Sequence, residues 1–236
     1  VPSTLKFIDI AGLVKGASQG QGLGNQFLGH IRSVDAIAHV VRLFEDGDVV
    51  HVDGRIDPVN DLDVILTGLM LADLESLEKR RDKAHKLARA NDPDARLEYE
   101  LIKSLAGQLG DGRIPEYDRN NPKLLAQVKG YGLLSLVQAF VCANTAEENF
   151  RNFGTSEKAK ALVEFAAKHG MEVVPVCAKL EEELGQLEEE EAAMFMEELG
   201  IKETGLARVI RTGYRLRDYI TFFTAGPVES RAWTVT

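Results

Sequence analysis

The sequence predicts an α/β fold, a parallel sheet flanked by helices and interrupted by a long antiparallel helical arm. Three observations carry that prediction. Short apolar runs rich in β-branched residues alternate with amphipathic helical patterns, as strands buried on both faces of a parallel sheet do. From Asp61 to about Leu109 there is helical periodicity and no strand signal. And 236 residues, 44% of them hydrophobic and 28% charged, are enough to bury a sizeable core. No apolar run approaches the ~18 residues that would read as a membrane span. The formal net charge of −9 means that the chain as a whole is not drawn to polyanions, so any RNA contact must come from a local patch. Cys142 and Cys177 lack C-x-x-C spacing, which argues against a zinc site or a disulfide framework and fits a reducing compartment.

The elements follow in order. Leu5 to Ile10 reads as a buried strand. Asn25 to Ser33 places Phe27, Leu28 and Ile31 on one helical face, and Ala36 to Phe44 is the next strand. The arm follows: Leu66, Met70, Leu74, Leu77, Ala84 and Leu87 recur at three- and four-residue steps. Asn91-Asp92-Pro93-Asp94 then supplies turn chemistry, and Leu97, Leu101, Ile102 and Leu105 resume the stripe, so the chain folds back as a helical hairpin. Val137 to Ala143 and Val173 to Cys177 complete the strands of the sheet. Between them, Ser156 to His169 puts Ala159, Leu162, Val163 and Ala166 on one face, with Gly170 as the stop. Leu187 to Leu199 is a further helix opened by the acidic run Glu188 to Glu191. Tyr219 to Phe223 and Ala232 to Val235 read as two strands of a small β-containing unit.

Three segments carry candidate chemistry. Asp9-Ile10-Ala11-Gly12 puts a carboxylate at the end of a hydrophobic run and a glycine three residues on, an arrangement in which Asp9 can hold a Mg²⁺ shell while the Gly12 N–H reaches a phosphate. An ordinary Asp turn has the same pattern. The glycine run that follows (Gly12, Gly16, Gly20, Gly22, Gly24, Gly29) predicts a loop rather than a helix, and it fails the dinucleotide pattern at Asn25. Asn144-Thr145-Ala146-Glu147 ends the third predicted strand. An Asn amide offers a donor and an acceptor to the edge of a purine, although Asn followed by Glu at the third position is also how many helices begin. Cys177-Ala178-Lys179 ends the fourth predicted strand, where backbone can close over a base. All three stand at the carboxyl ends of predicted parallel strands, the edge where open α/β sheets bind ligands.

In that order these residues resemble the YchF (Obg-like ATPase) subfamily of the Obg-related phosphate-loop GTPases. The stretch DIAGLVKGASQGQGLGNQFLGHIRSVDAIAHVVRLFED is similar to its switch II region, NTAE to its variant fourth nucleotide motif, VPVCAKLEEEL to its fifth, and TFFTAGPVESRAWTV to the opening of its TGS domain. The resemblance implies a phosphate-loop NTPase-type sheet in residues 1–60 and 127–204, a helical coiled-coil insertion in 61–126, and the start of an α+β TGS domain in 205–236. It also implies a cytoplasmic, monomeric nucleotide hydrolase that uses Mg²⁺, associates with the large ribosomal subunit and possesses RNA contacts, with no membrane role. Guanine specificity in the wider superfamily needs N-K-x-D; with Thr145 for Lys and Glu147 for Asp, ATP is the expected substrate and GTP the weaker one. The nucleotide would be held by Asn144, Thr145, Ala146, Glu147, Cys177, Ala178 and Lys179, with Asp9 as metal ligand.

Hydrolytic relatives usually carry a water-positioning Gln after D-x-x-G, and here Leu13 stands there. The position matching the family's proposed catalytic histidine is His51, whose neutral imidazole can orient water; Gly12 completes the predicted catalytic pair. His39, His85 and His169, on predicted strand and helices, are read as structural. No G-x-x-x-x-G-K-[S/T] phosphate loop occurs in the sequence. Two readings follow: a stretch of a competent ATPase that starts inside the second strand of its G domain and stops early in the TGS domain, so that these residues alone are impaired, or a non-catalytic ribosome- or RNA-binding module. The intact switch II segment favours the first. In the arm, Lys79, Arg80, Arg81, Lys83, Lys86 and Arg89 are interleaved with Glu75, Glu78 and Asp82, which reads as a salt-bridged solvated face.

Overall fold

A computed structural model describes residues 5–10, 22–45, 56–89, 92–226 and 229–235. Helix α1 (Gly22–Arg32) leads into strand β1 (Ala36–Arg42) and then into the arm, α2 (Pro58–Ala88) and α3 (Pro93–Gly110). Next come α4 (Pro122–Tyr131), a 3₁₀ turn (Leu134–Leu136), β2 (Gln138–Asn144), α5 (Glu147–Phe150), α6 (Glu157–Lys168) and β3 (Val173–Val176). The remainder is α7 (Ala178–Leu184), α8 (Glu189–Glu198), α9 (Gly205–Leu216), β4 (Ile220–Ala225) and β5 (Ser230–Val235). The α/β class, the parallel sheet and the helical arm are those the sequence predicts. Two compact units result: one takes residues up to 8, 35–62 and 138 onward, the other 9–34 and 63–137.

In the first unit, β1, β2 and β3 form a parallel sheet in that order, with Val40 opposite Cys142 and Cys142 opposite Val174. One face of it, Phe140, Cys142 and Val174, packs on Val209 of α9. Its helix α6 buries Ala159, Leu162 and Ala166 and stops at Gly170, whose φ of +70° suits a residue without a Cβ, whereas Val163 turns outward. Strands β4 and β5 pair antiparallel, Phe222 opposite Trp233, and the Trp233 indole N–H donates to Thr224 Oγ1 at 2.8 Å.

The predicted strand at Leu5 to Ile10 is not one. The segment is irregular, with Phe7 and Ile8 about half exposed. An apolar run becomes a strand only where an edge offers it hydrogen bonds, and no described strand pairs with it. Leu5 instead lies against α9, so close to Gly213 that a Cβ there would stand 2.7 Å from Leu5 Cδ2. The glycine run also departs from expectation, because the helix starts at Gly22 and takes in Gly24 and Gly29. Each glycine costs roughly 1 kcal/mol of helix propensity, and burial of Ile31 on the same helix is the kind of tertiary gain that offsets it.

The second unit is helical. Met70, Leu77 and Ala84 on α2 recur every seven residues and meet Ile102, Leu105 and Leu109 of α3, while the His85 ring lies 5.1 Å from Tyr99 near the turn. Leu87 and Leu97, assigned to the stripe on spacing, are more than half exposed. Asp92 caps α3, accepting from the Asp94 and Ala95 N–H groups at 3.0 and 3.4 Å, with Pro93 pre-set in the first turn. Asn121 and Pro122 repeat that device on α4, a helix not marked in the sequence reading. Residue 126, where the sequence places the end of the insertion, lies within α4, and Val128 and Tyr131 share the core of Met70 and Ile102. Asp73, 1% exposed in α2, pins the 3₁₀ turn: Leu134 N–H donates to Oδ1 at 2.7 Å, and Ser135 N–H and Oγ–H donate to Oδ2 at 2.8 and 2.7 Å.

Candidate functional site

Parallel pairing brings the carboxyl ends of β2 and β3 side by side, because Asn144 is in register with Val176. Two further bonds prolong the ladder past the strands, Leu43 N–H to Asn144 O at 2.7 Å and Thr145 N–H to Val176 O at 2.8 Å. Thr145 is thereby buried, 4% exposed, and holds the loop down. The decisive contact is longer in sequence: Ala178 N–H donates to Asn144 Oδ1 at 3.1 Å, across 34 residues. It satisfies an N–H of the first turn of α7, whose N-cap Cys177 supplies no side-chain bond of its own. Asn144 therefore joins the Asn144–Glu147 and Cys177–Lys179 segments, and its acceptor oxygen is engaged while its amide nitrogen retains donors.

The helix-start reading of Asn144 and Glu147 is answered by this geometry. The N-cap of α5 is Ala146, without a side-chain bond, so Asn144 caps a helix, but that helix is α7. Glu147 opens α5 and pairs with Arg151 at 3.3 Å, both side chains a little under half exposed. Ala146 O accepts from Asn149 and Phe150 N–H at 3.1 and 3.0 Å and closes the turn. Ala178 and Lys179 are exposed at the start of α7, and Cys177 is buried beneath them. Beside Thr145 lies a cavity of about 20 Å³, lined among others by Leu43, Asn152, Thr155 and Ser156, which is the room one water needs.

Burial pushes the Cys142 thiol up to about 11, so it stays protonated within β2. Burial holds His39, in β1, down to about 4; its ring is neutral at physiological pH, and Nε2 has no partner among the described residues.

The other predicted residues are not gathered here. Asp9 is exposed in the irregular segment and belongs to the other compact unit. Gly12, Leu13 and His51 lie outside the described residues. Spacing did not reveal Glu181 of α7. Its carboxylate accepts from Gly205 N–H at 2.6 Å and from Leu206 N–H at 3.2 Å, fastening the start of α9 to the helix that carries Ala178 and Lys179. Gly205 is required by that approach, since a Cβ would stand 3.1 Å from Val176 Cα. A signal existed only in Thr204-Gly205, a helix-start pair; nothing along the chain links it to Glu181.

A family model described as a 50S ribosome-binding GTPase matches residues 2–83. Among curated proteins, the chain is similar to the ribosome-binding ATPase YchF of Haemophilus ducreyi, 47% identical over 236 residues, all of this chain and 64% of that protein. The YchF of Bacillus subtilis is 44% identical over 237 residues, with 99% of this chain and 64% of the relative covered. Escherichia coli O157:H7 YchF is 43% identical over 235 residues, at 100% and 64%. The chain thus spans a little under two thirds of the length of these relatives. Among solved structures, the YchF GTPase of Schizosaccharomyces pombe matches with a TM-score of 0.79 and 31% identity, covering 96% of this chain and 61% of that one.

Proposed function

By sequence and by fold the chain belongs to the YchF family, and from that premise we propose that it is part of an ATPase that binds the purine at Asn144, prefers ATP to GTP, hydrolyses it to ADP and phosphate, and associates with the ribosome. The observation that supports this reading best is the Asn144–Ala178 bond, which joins the two base-reading segments at the carboxyl edge of the sheet. With Oδ1 engaged, the Asn144 amide N–H₂ is the group left to donate to the purine ring nitrogen, and the backbone of Thr145 to Glu147 and of Cys177 to Lys179 lines the base. Glu147, one methylene longer than the aspartate of guanine readers and paired with Arg151, is poorly placed to accept from the two guanine N–H donors.

Asp9 suits Mg²⁺. Among the described residues there is no cluster of three or more carboxylate, histidine or cysteine ligands, so the ion would rest on this one exposed carboxylate, water and the phosphates of the nucleotide, a common arrangement for a small hard cation. When bound it supplies charge neutralisation. The chain's own part is to hold the ion at Asp9, donate the Gly12 N–H to a phosphate, and orient the attacking water through His51, since Leu13 has no polar atom to do so. Residues 1–60 and 127–204 are assigned to the nucleotide domain, 61–126 to the coiled-coil arm, whose core α4 continues, and 205–236 to the start of a TGS domain. The large ribosomal subunit is the proposed docking partner, RNA a contact through the arm, the cytoplasm the compartment, and a monomer the working form.

The test is made in the full-length natural chain. Asn144→Ala should weaken ATP binding by about ten-fold, the equivalent of one good polar contact, and His51→Ala should lower turnover with little change in ATP affinity. Preference for GTP, or unchanged turnover without His51, overturns the corresponding assignment. The 236 residues alone, which contain no phosphate-loop sequence, should bind Mg-ATP far more weakly; micromolar affinity would overturn that expectation.

A further inference from the structure

The net charge of the chain is concentrated in one place. Between residues 178 and 203 stand ten acidic and two basic residues, a net −8 out of −9. Two of the ten are occupied: Glu181 caps α9, and Glu203 meets Arg208 and Arg211 at 3.8 and 2.8 Å. The other eight, including the run Glu188 to Glu191 with Glu197 and Glu198, form no salt bridge among the described residues. Helix α8, on which most of these sit, buries none of its ten residues fully. Ala192, Phe195, Met196 and Leu199 lean on the cluster of Phe150, Leu180 and Ile201, and Met194 is left 71% exposed.

Along that helix runs an open groove of about 440 Å³, mostly apolar, lined by Ala193, Met196, Glu197, Gly200, Ile201 and Lys202. Favourable charge at the helix start explains one or two carboxylates in the first turn of α8. It does not explain the acidic residues at its far end, nor an apolar floor between them. A helix start needs no Met196 in a groove and no Met194 in solvent, and methionine is the side chain that adapts to an incoming apolar surface.

We propose that the α8 groove is a docking site for a basic amphipathic helical segment of a protein partner. Apolar side chains spaced three and four apart would enter the groove over Met196 and Ile201, and the flanking lysines or arginines would meet the carboxylates of Glu189, Glu190, Glu197 and Glu198. The complementarity sets the choice of occupant. The same field repels nucleic acid and a second copy of this acidic face. Long-range attraction steers the approach, and the groove supplies the order-dependent contacts that ion exchange lacks.

The probe is a labelled leucine–lysine peptide of helical amphipathic pattern, with a scrambled peptide of the same composition as control, titrated into the full-length chain by fluorescence anisotropy. The amphipathic peptide should bind about ten-fold more tightly than the scrambled one. Ala193→Trp, at an exposed position, should fill the groove and remove that advantage without unfolding the chain. Joint replacement of Glu189, Glu190 and Glu197 by glutamine should weaken binding about ten-fold and flatten its dependence on salt. Equal binding of the two peptides reduces the face to an ion exchanger and overturns the proposal. So does indifference to Ala193→Trp, or a self-association of the chain that Ala193→Trp abolishes. None of these outcomes touches nucleotide binding, which Asn144→Ala reports separately.

Discussion

Asp73→Asn is a substitution of nearly equal volume whose cost follows from three hydrogen bonds. The carboxylate accepts from Leu134 N–H on Oδ1 and from Ser135 N–H and Oγ–H on Oδ2, all at 2.7 to 2.8 Å. Asparagine keeps one oxygen for Leu134 and presents an N–H₂ where Oδ2 was. The Ser135 hydroxyl can rotate and accept from it, but the Ser135 backbone N–H cannot, and it is left facing a donor. An orphaned N–H of this kind costs about 1–3 kcal/mol. Some of that is returned, because burial raises the carboxyl pKa of Asp73 above its ordinary value despite the bonds that lower it, so ionising it in the fold has a cost that asparagine avoids. The net expectation is a loss of about 2 kcal/mol, or roughly 4–8 °C in melting temperature for a chain of this size. Urea unfolding followed by far-ultraviolet circular dichroism measures it. The sign with pH is also fixed. A raised folded-state value stabilises the native form below the ordinary carboxylate range and loses that contribution as pH rises through the folded value, so the gap between wild type and Asp73→Asn should narrow on that rise. An Asp73→Asn chain within about 0.5 kcal/mol of wild type at neutral pH would refute the reasoning.

His39 gives a second pH dependence with the opposite slope. Its folded value is about 4 against 6.5 ordinarily, so the unfolded chain binds more protons between those limits, and stability present above 6.5 is lost as pH falls through them, by about 3 kcal/mol in all. In His39→Leu that component should vanish from a stability-against-pH profile; an unchanged profile would count against it. The two close-approach glycines should behave differently on substitution by alanine. At Gly205 the added methyl meets Val176 Cα, which is backbone, and a loss of about 1–3 kcal/mol is expected; at Gly213 it meets the end of the Leu5 side chain, which can swing aside, and the loss should stay under about 1 kcal/mol. Chemical denaturation of both variants decides, and equal losses would contradict the distinction. Iodoacetamide should leave Cys142 and Cys177 unmodified in the native chain and label both in urea, since both are free and buried.

Of the legible strands in the described sheet, the one read at Val137 to Ala143 lies between two neighbours and buries Phe140 to Ala143, whereas Ala36 to Phe44, with Val40 74% exposed, and Val173 to Cys177 lie at its edges and were marked by their β-branched residues. Leu5 to Ile10 also reads as an apolar run and failed, because such a run marks a segment that could pair and be buried, not the presence of an edge to pair with. The arm was legible from apolar residues recurring at three- and four-residue steps, yet Leu87 and Leu97, placed in that stripe, stand in solvent, where the pattern outlasts the partner it serves. Helix α4 went unmarked because only Val128 and Tyr131 of its ten residues are buried, too few to set a period.

At the site, the residue types and their order along the chain were present in the sequence: Asn144 at the end of one strand, Cys177-Ala178-Lys179 at the end of the next, and a family likeness that joined them. What Asn144 does with its oxygen was not. A helix-start pattern is local, and by local rules Asn144 belongs to α5; the parallel register sets it beside a helix 34 residues away whose first N–H groups lack a cap, and that unmet demand claims it. Asp73 with Ser135 and Glu181 with Gly205 follow the same logic. Periodicity and composition describe what each segment must bury, and so the sequence by itself determined the fold class, most of the elements and the family likeness. Which buried donor meets which acceptor depends on distances across the fold, and only the tertiary structure decided that.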